Sequence, residues 1–269
     1  MESASTADLT HLTESQRAAV DLPQDRPTVD LSVVIPVYNE EGLLVEAIEE
    51  LVSELNRGAR TYEILIAENG SRDRTRELAN ELSQAHPQVW AFSVGEPNYG
   101  LALKRGLLEA RGRLAICDEI DICDTRFYDA ALKILDAEHS AGQEAVDFVV
   151  GSKRAPGAHD RRPPLRRFAT WVLNMMLRVG VGFKGTDTHG LKALRLARIK
   201  PIIERCVVDR DMFASELVVR VHRSDRIWRE IPIDLQERRP PSVHLFRRVP
   251  HVLKHIARLI WIIRFGRDL

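Results

Sequence analysis

Four acidic side chains crowd into the eight positions of the segment CDEIDICD, residues 117–124. They directly follow the apolar run Leu114-Ala115-Ile116, which predicts the inner half of a buried strand. Carboxylates at a strand end repel one another, but they can share a divalent cation such as Mg²⁺ or Mn²⁺, which in turn can hold a diphosphate. A solvated acidic turn is the alternative interpretation of this segment.

A second polar loop, ENGSRDRT at residues 68–75, also comes straight after an apolar run. Its small, turn-forming residues lie between acids, so backbone and carboxylate groups could approach one polar ligand together. The same residues could instead begin a helix, with Ser71 as the N-cap and Asp73 in the first turn. Both interpretations stay open for this loop alone.

A basic segment, KRAPGAHDRRPPLRR at residues 153–167, holds six Lys or Arg residues against one Asp. Its Pro and Gly residues exclude a regular helix through much of its length. The planar guanidinium group of Arg suits phosphate, although a flexible solvated loop is the alternative. Nucleic acid is not an expected partner, because no aromatic residues interleave with these charges.

The elements that must position these loops alternate between strands and helices. Continuous apolar runs predict strands, and apolar residues at helical spacing predict the helices between them. The expected order is strand 31–37, helix 41–56, strand 62–67, helix 72–84, strand 89–94, helix 101–110, the strand before the acid cluster, helix 126–139 and strand 147–152. This alternation predicts an α/β fold with a mostly parallel sheet covered by helices on both faces.

Ligands of such sheets bind at the carboxyl ends of the strands. That rule places three loops on one rim of the sheet: residues 38–40, residues 68–71 and the acid cluster at 118–124. The sequence therefore predicts one polar site built from all three loops.

The composition limits what the whole chain can be. Its 269 residues contain 39 Lys and Arg against 39 Asp and Glu, so the formal net charge is zero and a uniformly basic nucleic-acid binder is not expected. Three cysteines without CxxC spacing favour a reducing, cytoplasmic compartment. Because no apolar leader and no run of about 18 uncharged apolar residues occurs, a spanning helix is not expected.

Three regions divide the chain. Residues 1–30 are expected to be a disordered or loosely attached lead-in, and residues 31–235 the main domain. Residues 236–269 are expected to form a basic amphipathic helix, with apolar side chains on one face and cations on the other. Such a helix can lie in a membrane interface, and it could equally pack on the main domain or on a second copy of the chain.

Eight motifs, read in order, resemble the family-two inverting glycosyltransferases, which have the GT-A nucleotide-sugar fold. The motifs are VVIPVYNEE, ENGSRDRT, NYGLALKRG, an acid-x-acid after ARGRLAICD, GSKR, TDTHGLKAL, FASEL and REIPI. Within the family, the chain looks most similar to the polyprenyl-phosphate (dolichyl-phosphate) mannose and glucose synthase branch. The resemblance covers about residues 31–235.

The resemblance implies a donor site and a metal site. The donor nucleotide sugar would contact six residues: Pro36, Tyr38, Glu40, Glu68, Asn69 and Asp118. Glu68-Asn69 replaces the family's usual pair of aspartates, which leaves the base open. The metal ligands would be Glu119 and Asp121, with Asp118 or Asp124 as substitutes. Cys123 stands where some lipid-phosphate members offer a further ligand, and it is a poor partner for a hard cation.

The resemblance also implies acceptor and catalytic residues. Lys153, Arg166, Arg167 and Thr170 would bind the acceptor. Asp187 would be the catalytic base or would orient the acceptor, with His189 as a rival, and Asp121 would act through the metal. The segment 98–106 is about two residues shorter than usual in the family, which weakens any role for Lys104.

Two classes of function remain open at this point. The first is a Mg²⁺- or Mn²⁺-dependent glycosyltransferase acting on a polyprenyl phosphate at the cytoplasmic membrane face, or on a soluble hydroxyl acceptor. The second is a non-catalytic nucleotide-sugar or membrane-binding module, which the departures at Glu68, Asn69 and Glu119 would suit.

Overall fold

The computed structural model describes residues 22–137, 145–158, 164–208, 212–233 and 245–265. A seven-stranded sheet has the order β3-β2-β1-β4-β6-β5-β7. Four of its neighbouring strand pairs run parallel, and β6 runs antiparallel to both β4 and β5. The predicted α/β fold with a mostly parallel sheet is confirmed.

The strands are β1 (Val29–Val37), β2 (Tyr62–Glu68), β3 (Val89–Ser93), β4 (Gly112–Cys117), β5 (Phe148–Ser152), β6 (Lys192–Arg195) and β7 (Trp228–Pro232). The helices are α1 (Leu44–Leu55), α2 (Thr75–Ala85), α3 (Tyr99–Glu109), α4 (Thr125–Asp136), α5 (Pro164–Val181), α6 (Leu196–Glu204), α7 (Phe213–Arg223) and α8 (Leu245–Phe265).

The core lies on both faces of the sheet, as expected for strands with continuous apolar runs. Alternate residues of β1 point to opposite faces, so Val34 joins one hydrophobic cluster while Val33 and Ile35 join the other. The first cluster includes side chains of α3, α6 and α7, and the second includes side chains of α1, α2 and α4. Helices therefore cover both faces and hold the strand ends in place.

The packed chain begins earlier than the expected start at Leu31. Strand β1 starts at Val29, and Leu22 is already buried. The side chain of Arg26 is buried against Glu63, with 2.7 Å between Nη1 and Oε2. A buried ion pair of this kind fixes the backbone around it, so residues 22–30 are attached to the domain, while residues 1–21 of the expected lead-in lie outside the described residues.

The C-terminal helix is present as α8, and it packs on α5. Ile256 and Leu259 are buried, and a Cβ on Gly180 of α5 would overlap the Ile260 side chain. Arg264 Nε donates to the carbonyl of Gly180 at 2.5 Å. Residues 234–244, which contain the expected boundary at 235, lie outside the described part of the chain. Among the described helices, none has the length and apolar character needed to cross a membrane.

Candidate active site

The three predicted loops lie at one rim because β2, β1 and β4 are adjacent parallel strands. The first two loops are hydrogen-bonded to each other. Asn39 N–H donates to Ser71 Oγ at 3.0 Å, and Arg72 N–H donates back to Asn39 Oδ1 at 2.8 Å. Asn39 has a φ of 53°, a left-handed conformation that Asn tolerates better than most residues. The two loops therefore form one rigid unit.

Glu68 stabilises this unit from inside. Its carboxylate is buried and accepts from Ser71 N–H and from the Ser93 hydroxyl, both at 2.5 Å. Gly70 has a φ of 75°, and a Cβ there would come within 2.6 Å of the Glu96 backbone. Because a carboxylate has about four acceptor positions, Glu68 can shape the loop and still accept a further hydrogen bond.

The other predicted donor residues surround this unit. Pro36 pairs with Ala67 near the end of β1, and Tyr38 is exposed just beyond it. Glu40 is buried, and its N–H donates to Thr75 Oγ1 at 2.7 Å. Asn69 is buried beside Glu68, and its N–H donates to the Val37 carbonyl at 3.0 Å. All four residues thus lie at the same rim, and their binding of a nucleotide sugar stays a prediction.

Asp118 is the innermost member of the acid cluster. It is 1% exposed, and it accepts hydrogen bonds from the Tyr128 hydroxyl and from Glu119 N–H. Burial raises the pKa of Asp118 to about 7, although both hydrogen bonds act in the opposite direction. Its described contacts hold the loop in shape, and donor binding by Asp118 stays a prediction.

Glu119 and Asp121 are half-buried, farther out on the same loop. Burial raises the pKa of Glu119, the charge of Lys153 lowers it, and the nearby Asp121 raises it. The two carboxylates are therefore close enough to interact. No group of three His, Cys, Asp or Glu residues in the described ranges is placed to hold a metal ion. Two carboxylates still fit Mg²⁺ or Mn²⁺, because such ions commonly combine one or two protein carboxylates with substrate phosphates and water.

The last two residues of the cluster have structural roles. Asp124 is the N-cap of α4. Its carboxylate accepts from the Arg126 backbone N–H at 3.1 Å and also forms an ion pair with the Arg126 guanidinium group. Capping and ion pairing both compete with the expected role of Asp124 as a substitute metal ligand. Cys123 has a φ of 42°, and its sulfur lies 3.8 Å from the Ile120 carbonyl oxygen. Both residues close the turn that presents Asp121.

Asp187 reaches the same rim from the loop before β6. It is 1% exposed, and it accepts from His189 N–H at 2.9 Å and from Lys153 N–H at 3.4 Å. His189 is half-buried beside it, with Nδ1 at 3.1 Å from the Thr188 hydroxyl. Gly190 is required here, because a Cβ on this residue would overlap the Gly151 carbonyl oxygen. The loop is thus pressed onto β5, which brings Asp187 beside Lys153.

Glu230 of β7 holds the Asp187 loop, and it was missed as a site residue. Its Oε1 accepts from Thr186 N–H at 2.7 Å and from Asp187 N–H at 3.3 Å, and its Oε2 accepts from the Thr186 hydroxyl at 2.8 Å. The only sequence signal was the REIPI motif. The motif did not indicate that edge strand β7 would reach this loop.

Lys192 and Tyr99 are two further residues near the acids that were missed. Lys192 is 2% exposed on β6, and its Nζ donates to the Gly190 carbonyl at 2.7 Å. Burial lowers its pKa, whereas Cys117, Asp187 and Glu119 raise it. Tyr99, in the first turn of α3, has its pKa raised by burial and then by Glu119. A lysine in the short run KAL gives no local signal of such a position.

The predicted acceptor residues lie in two segments, one directly after β5 and one in the first turns of α5. Lys153 is buried close to Glu119, Arg167 is exposed and Thr170 is half-buried in the first turns of α5. Arg166 is also in the first turn of α5, but its side chain lies outside the described part of the structure, as do residues 159–163. Lys104 points away from the rim, since its Nζ donates to the Cys206 carbonyl at 2.7 Å.

Known proteins share both the sequence pattern and the fold of this chain. The glycosyl transferase family 2 model matches residues 32–175. A dolichyl-phosphate beta-glucosyltransferase of Trichomonas vaginalis is 28% identical over 79% of this chain and 68% of its own length. An undecaprenyl-phosphate 4-deoxy-4-formamido-L-arabinose transferase of Pseudomonas fluorescens is 26% identical over 77% of this chain and 58% of its own length.

Among solved structures, glucosyl-3-phosphoglycerate synthase of Mycobacterium tuberculosis, in complex with Mn²⁺, UDP and phosphoglyceric acid, superposes with a TM-score of 0.62. The match covers 86% of this chain and 78% of that one at 18% identity, which establishes the shared fold. Because the family model spans more than half of the chain, the expected identity is confirmed: the protein is a glycosyltransferase and belongs to glycosyl transferase family 2.

Proposed function

We propose that the protein transfers a hexose, with inversion, from a nucleotide sugar to a polyprenyl phosphate, and that the reaction depends on Mg²⁺ or Mn²⁺. Two kinds of support favour this reaction. The two transferases named above are a dolichyl-phosphate and an undecaprenyl-phosphate transferase, and the rim combines acids suited to a metal with a basic residue suited to an acceptor phosphate. The observation that carries the proposal is the position of Lys153, which is buried, donates its N–H to Asp187 Oδ2 at 3.4 Å and acts on Glu119 through its charge.

Different residues of the chain would hold the two substrates. Glu119 and Asp121 would hold the divalent cation, which when bound neutralises charge on the leaving diphosphate. The ammonium group of Lys153 would hold the acceptor phosphate next to the donor. A phosphate acceptor is already an anion, so it needs positioning more than it needs a base. Asp187 would then orient the acceptor; for a hydroxyl acceptor it would instead take the proton.

Contact with a membrane surface is part of the same proposal. Helix α5 exposes Trp171, Met175 and Val179 at intervals of four residues, which places them along one helical face. Trp261 of α8 is 63% exposed, and Lys254 and Arg258 of α8 are also exposed. Neither helix contains an acidic residue. Exposed Trp beside cations is typical of helices that lie in the interface of an anionic bilayer.

Transfer assays with Asp121→Asn test the proposed reaction. Loss of one of two metal carboxylates should lower kcat/KM by about 100-fold or more, with the circular dichroism spectrum unchanged. Wild-type activity should disappear in EDTA and return with Mn²⁺. Asp129→Asn, an exposed carboxylate of α4, is the matched control and should retain activity. Full activity of Asp121→Asn, or of the wild type in EDTA, contradicts the metal assignment.

The acceptor class is tested in the same assay by offering a polyprenyl phosphate and 3-phosphoglycerate in parallel. We expect transfer to the polyprenyl phosphate. Transfer to 3-phosphoglycerate alone would assign the protein to the soluble-acceptor alternative. Donor binding without transfer to either acceptor would favour the non-catalytic module.

Liposome sedimentation tests the membrane contact. The protein should sediment with anionic vesicles at low salt and be released at high salt, because each cation near such a surface contributes up to about 1 kcal/mol. Replacing Lys254 and Arg258 by Glu should abolish binding. The matched control is Arg57→Glu, an exposed residue beyond the end of α1. Equal binding of neutral and anionic vesicles by the wild type would contradict an electrostatic contact.

A further inference from the structure

Lys192 is the most deeply buried cation at the rim, and neither the predicted donor site nor the predicted acceptor site uses it. Strand β6 lies between β4 and β5, and Lys192 is opposite Cys117 on one side and Val150 on the other. Burying an ammonium group is costly unless nearby charges and hydrogen bonds compensate for the lost water. One hydrogen bond to the Gly190 carbonyl accounts for only part of that compensation.

Acids supply further compensation. Burial keeps the pKa of Lys192 below its usual value, and the carboxylates of Asp187 and Glu119 oppose that shift, while Lys153 adds to it. The strand register agrees with this placement, because Lys192 lies opposite Cys117, the residue just before the acid cluster. These two acids come from different loops, one before β6 and one after β4. The ammonium group of Lys192 therefore lies within electrostatic reach of both of these loops.

The two lysines and the acids nearest to them have opposite charges. Lys153 acts on Glu119, and Lys192 acts on Glu119 and Asp187, so each lysine offsets part of the negative charge that would attract a divalent cation. Without Lys192, the site would be more negative by one charge.

We propose that Lys192 is a built-in counter-ion that weakens the binding of a divalent cation to the unliganded protein, so that the metal is held firmly only together with the donor diphosphate. This inference rests on the proposed function. It agrees with the small number of protein ligands, since the described residues offer no cluster of three metal-binding side chains. Lys192 is thus a positioning residue, acting through the charge of the site.

The test is the affinity for Mn²⁺ alone, measured by titration with detection of free Mn²⁺ by electron paramagnetic resonance at pH 8. Lys192→Met should bind Mn²⁺ about tenfold more tightly than the wild type, because removing a nearby positive charge favours a cation. Lys192→Arg keeps the charge and should bind like the wild type. Lys200→Met is the matched control, because Lys200 also donates to a backbone carbonyl, that of Leu108, at 3.2 Å.

A double variant, Lys192→Met with Asp187→Asn, restores the charge balance and should return the Mn²⁺ affinity to the wild-type value. Unchanged or weaker Mn²⁺ binding by Lys192→Met overturns the role of Lys192. Failure of both the single and the double variant to fold would also overturn it, because Lys192 would then be needed for the core itself. Absence of Mn²⁺ binding by the wild type, even with UDP, would instead contradict the proposed metal dependence.

Discussion

The rim has two halves, one on each side of the acid cluster, and they are held in different ways. In the donor half, formed by the loops after β1 and β2, backbone N–H groups and polar side chains hydrogen-bond to each other, and Glu68 closes the network from inside. In the acceptor half, formed by the residues after β5 and those around the start of β6, Lys153, Lys192 and Asp187 are all buried. Hydrogen bonds hold both halves, but only the second half also places buried charges of opposite sign near one another.

This difference matters for how each half tolerates change. When one acceptor is removed from a hydrogen-bonded loop, that loop loses its shape, but the neighbouring loops keep their own hydrogen bonds. A cluster of buried charges is coupled, so removing one charge alters the energy of all the others. The acceptor half should therefore be the more sensitive of the two, and Glu230 is the residue that joins its charged loop to the sheet edge.

Among the substitutions that compare the two halves, the largest effect is expected from Glu230→Ala. Without this carboxylate, the Thr186 and Asp187 N–H groups lose their acceptor, and the loop that carries Asp187 becomes free to shift. A displacement of about 1 Å can lower a rate about 100-fold, so kcat should fall by that order. Glu230→Gln should retain most activity, because its amide oxygen can accept both N–H groups and its amide nitrogen can donate to the Thr186 hydroxyl.

Arg229→Ala is the control for Glu230→Ala, since Arg229 is the exposed neighbour on the same strand. Steady-state kinetics with both substrates should show the loss in kcat for Glu230→Ala alone. An unchanged kcat in Glu230→Ala would show that the Asp187 loop holds its shape without β7.

Smaller and more selective effects are expected from single substitutions in each half. Glu68→Ala should raise the donor KM by about tenfold, since it loosens the loop that contacts the nucleotide, and should leave the acceptor KM unchanged. Arg167→Ala, at the start of α5, should raise the acceptor KM several-fold without affecting the donor KM. Steady-state titration of each substrate measures both constants. Equal changes in both constants would indicate that the halves do not act separately.

The donor half was the easier half to predict from sequence. Its strands are continuous apolar runs, and its loops follow them directly, so the position of each loop follows from the order of parallel strands. The boundary errors were small: α1 starts at Leu44 rather than at 41, and α3 starts at Tyr99 rather than at 101. Local patterns suffice when neighbours in sequence are also neighbours in the sheet.

The acceptor half was only partly predicted, for a physical reason. Its geometry depends on β6, a strand of four residues that runs antiparallel between β4 and β5, and on β7 at the sheet edge. Neither strand has a periodicity long enough to recognise. Lys192 and Glu230 lie within the motifs TDTHGLKAL and REIPI, but neither motif indicated where these two side chains would lie, whereas the first motif was enough to single out Asp187.

The smallest effect is expected from a substitution of Asp118, the buried acid that directly follows β4. Burial raises the pKa of its carboxyl group to about 7, whereas in an unfolded chain the pKa is about 4. Between these values the folded protein binds a proton that the unfolded chain has released, so this contribution to stability is full below about pH 4 and is lost as the pH rises through about 7. Asp118→Asn has no such proton to lose.

Urea unfolding in EDTA at pH 4.5 and pH 7.5 measures this difference. On going to the higher pH, the free energy of unfolding of the wild type should fall relative to that of Asp118→Asn by at least about 1 kcal/mol. The Asn side chain can still accept from the Tyr128 hydroxyl, so the hydrogen bond itself is retained. Asp129→Asn, an exposed substitution on α4, should follow the wild type at both pH values. If Asp118→Asn also follows the wild type, the carboxyl group of Asp118 is ionised across this range, and the acid cluster carries its full negative charge before any cation binds.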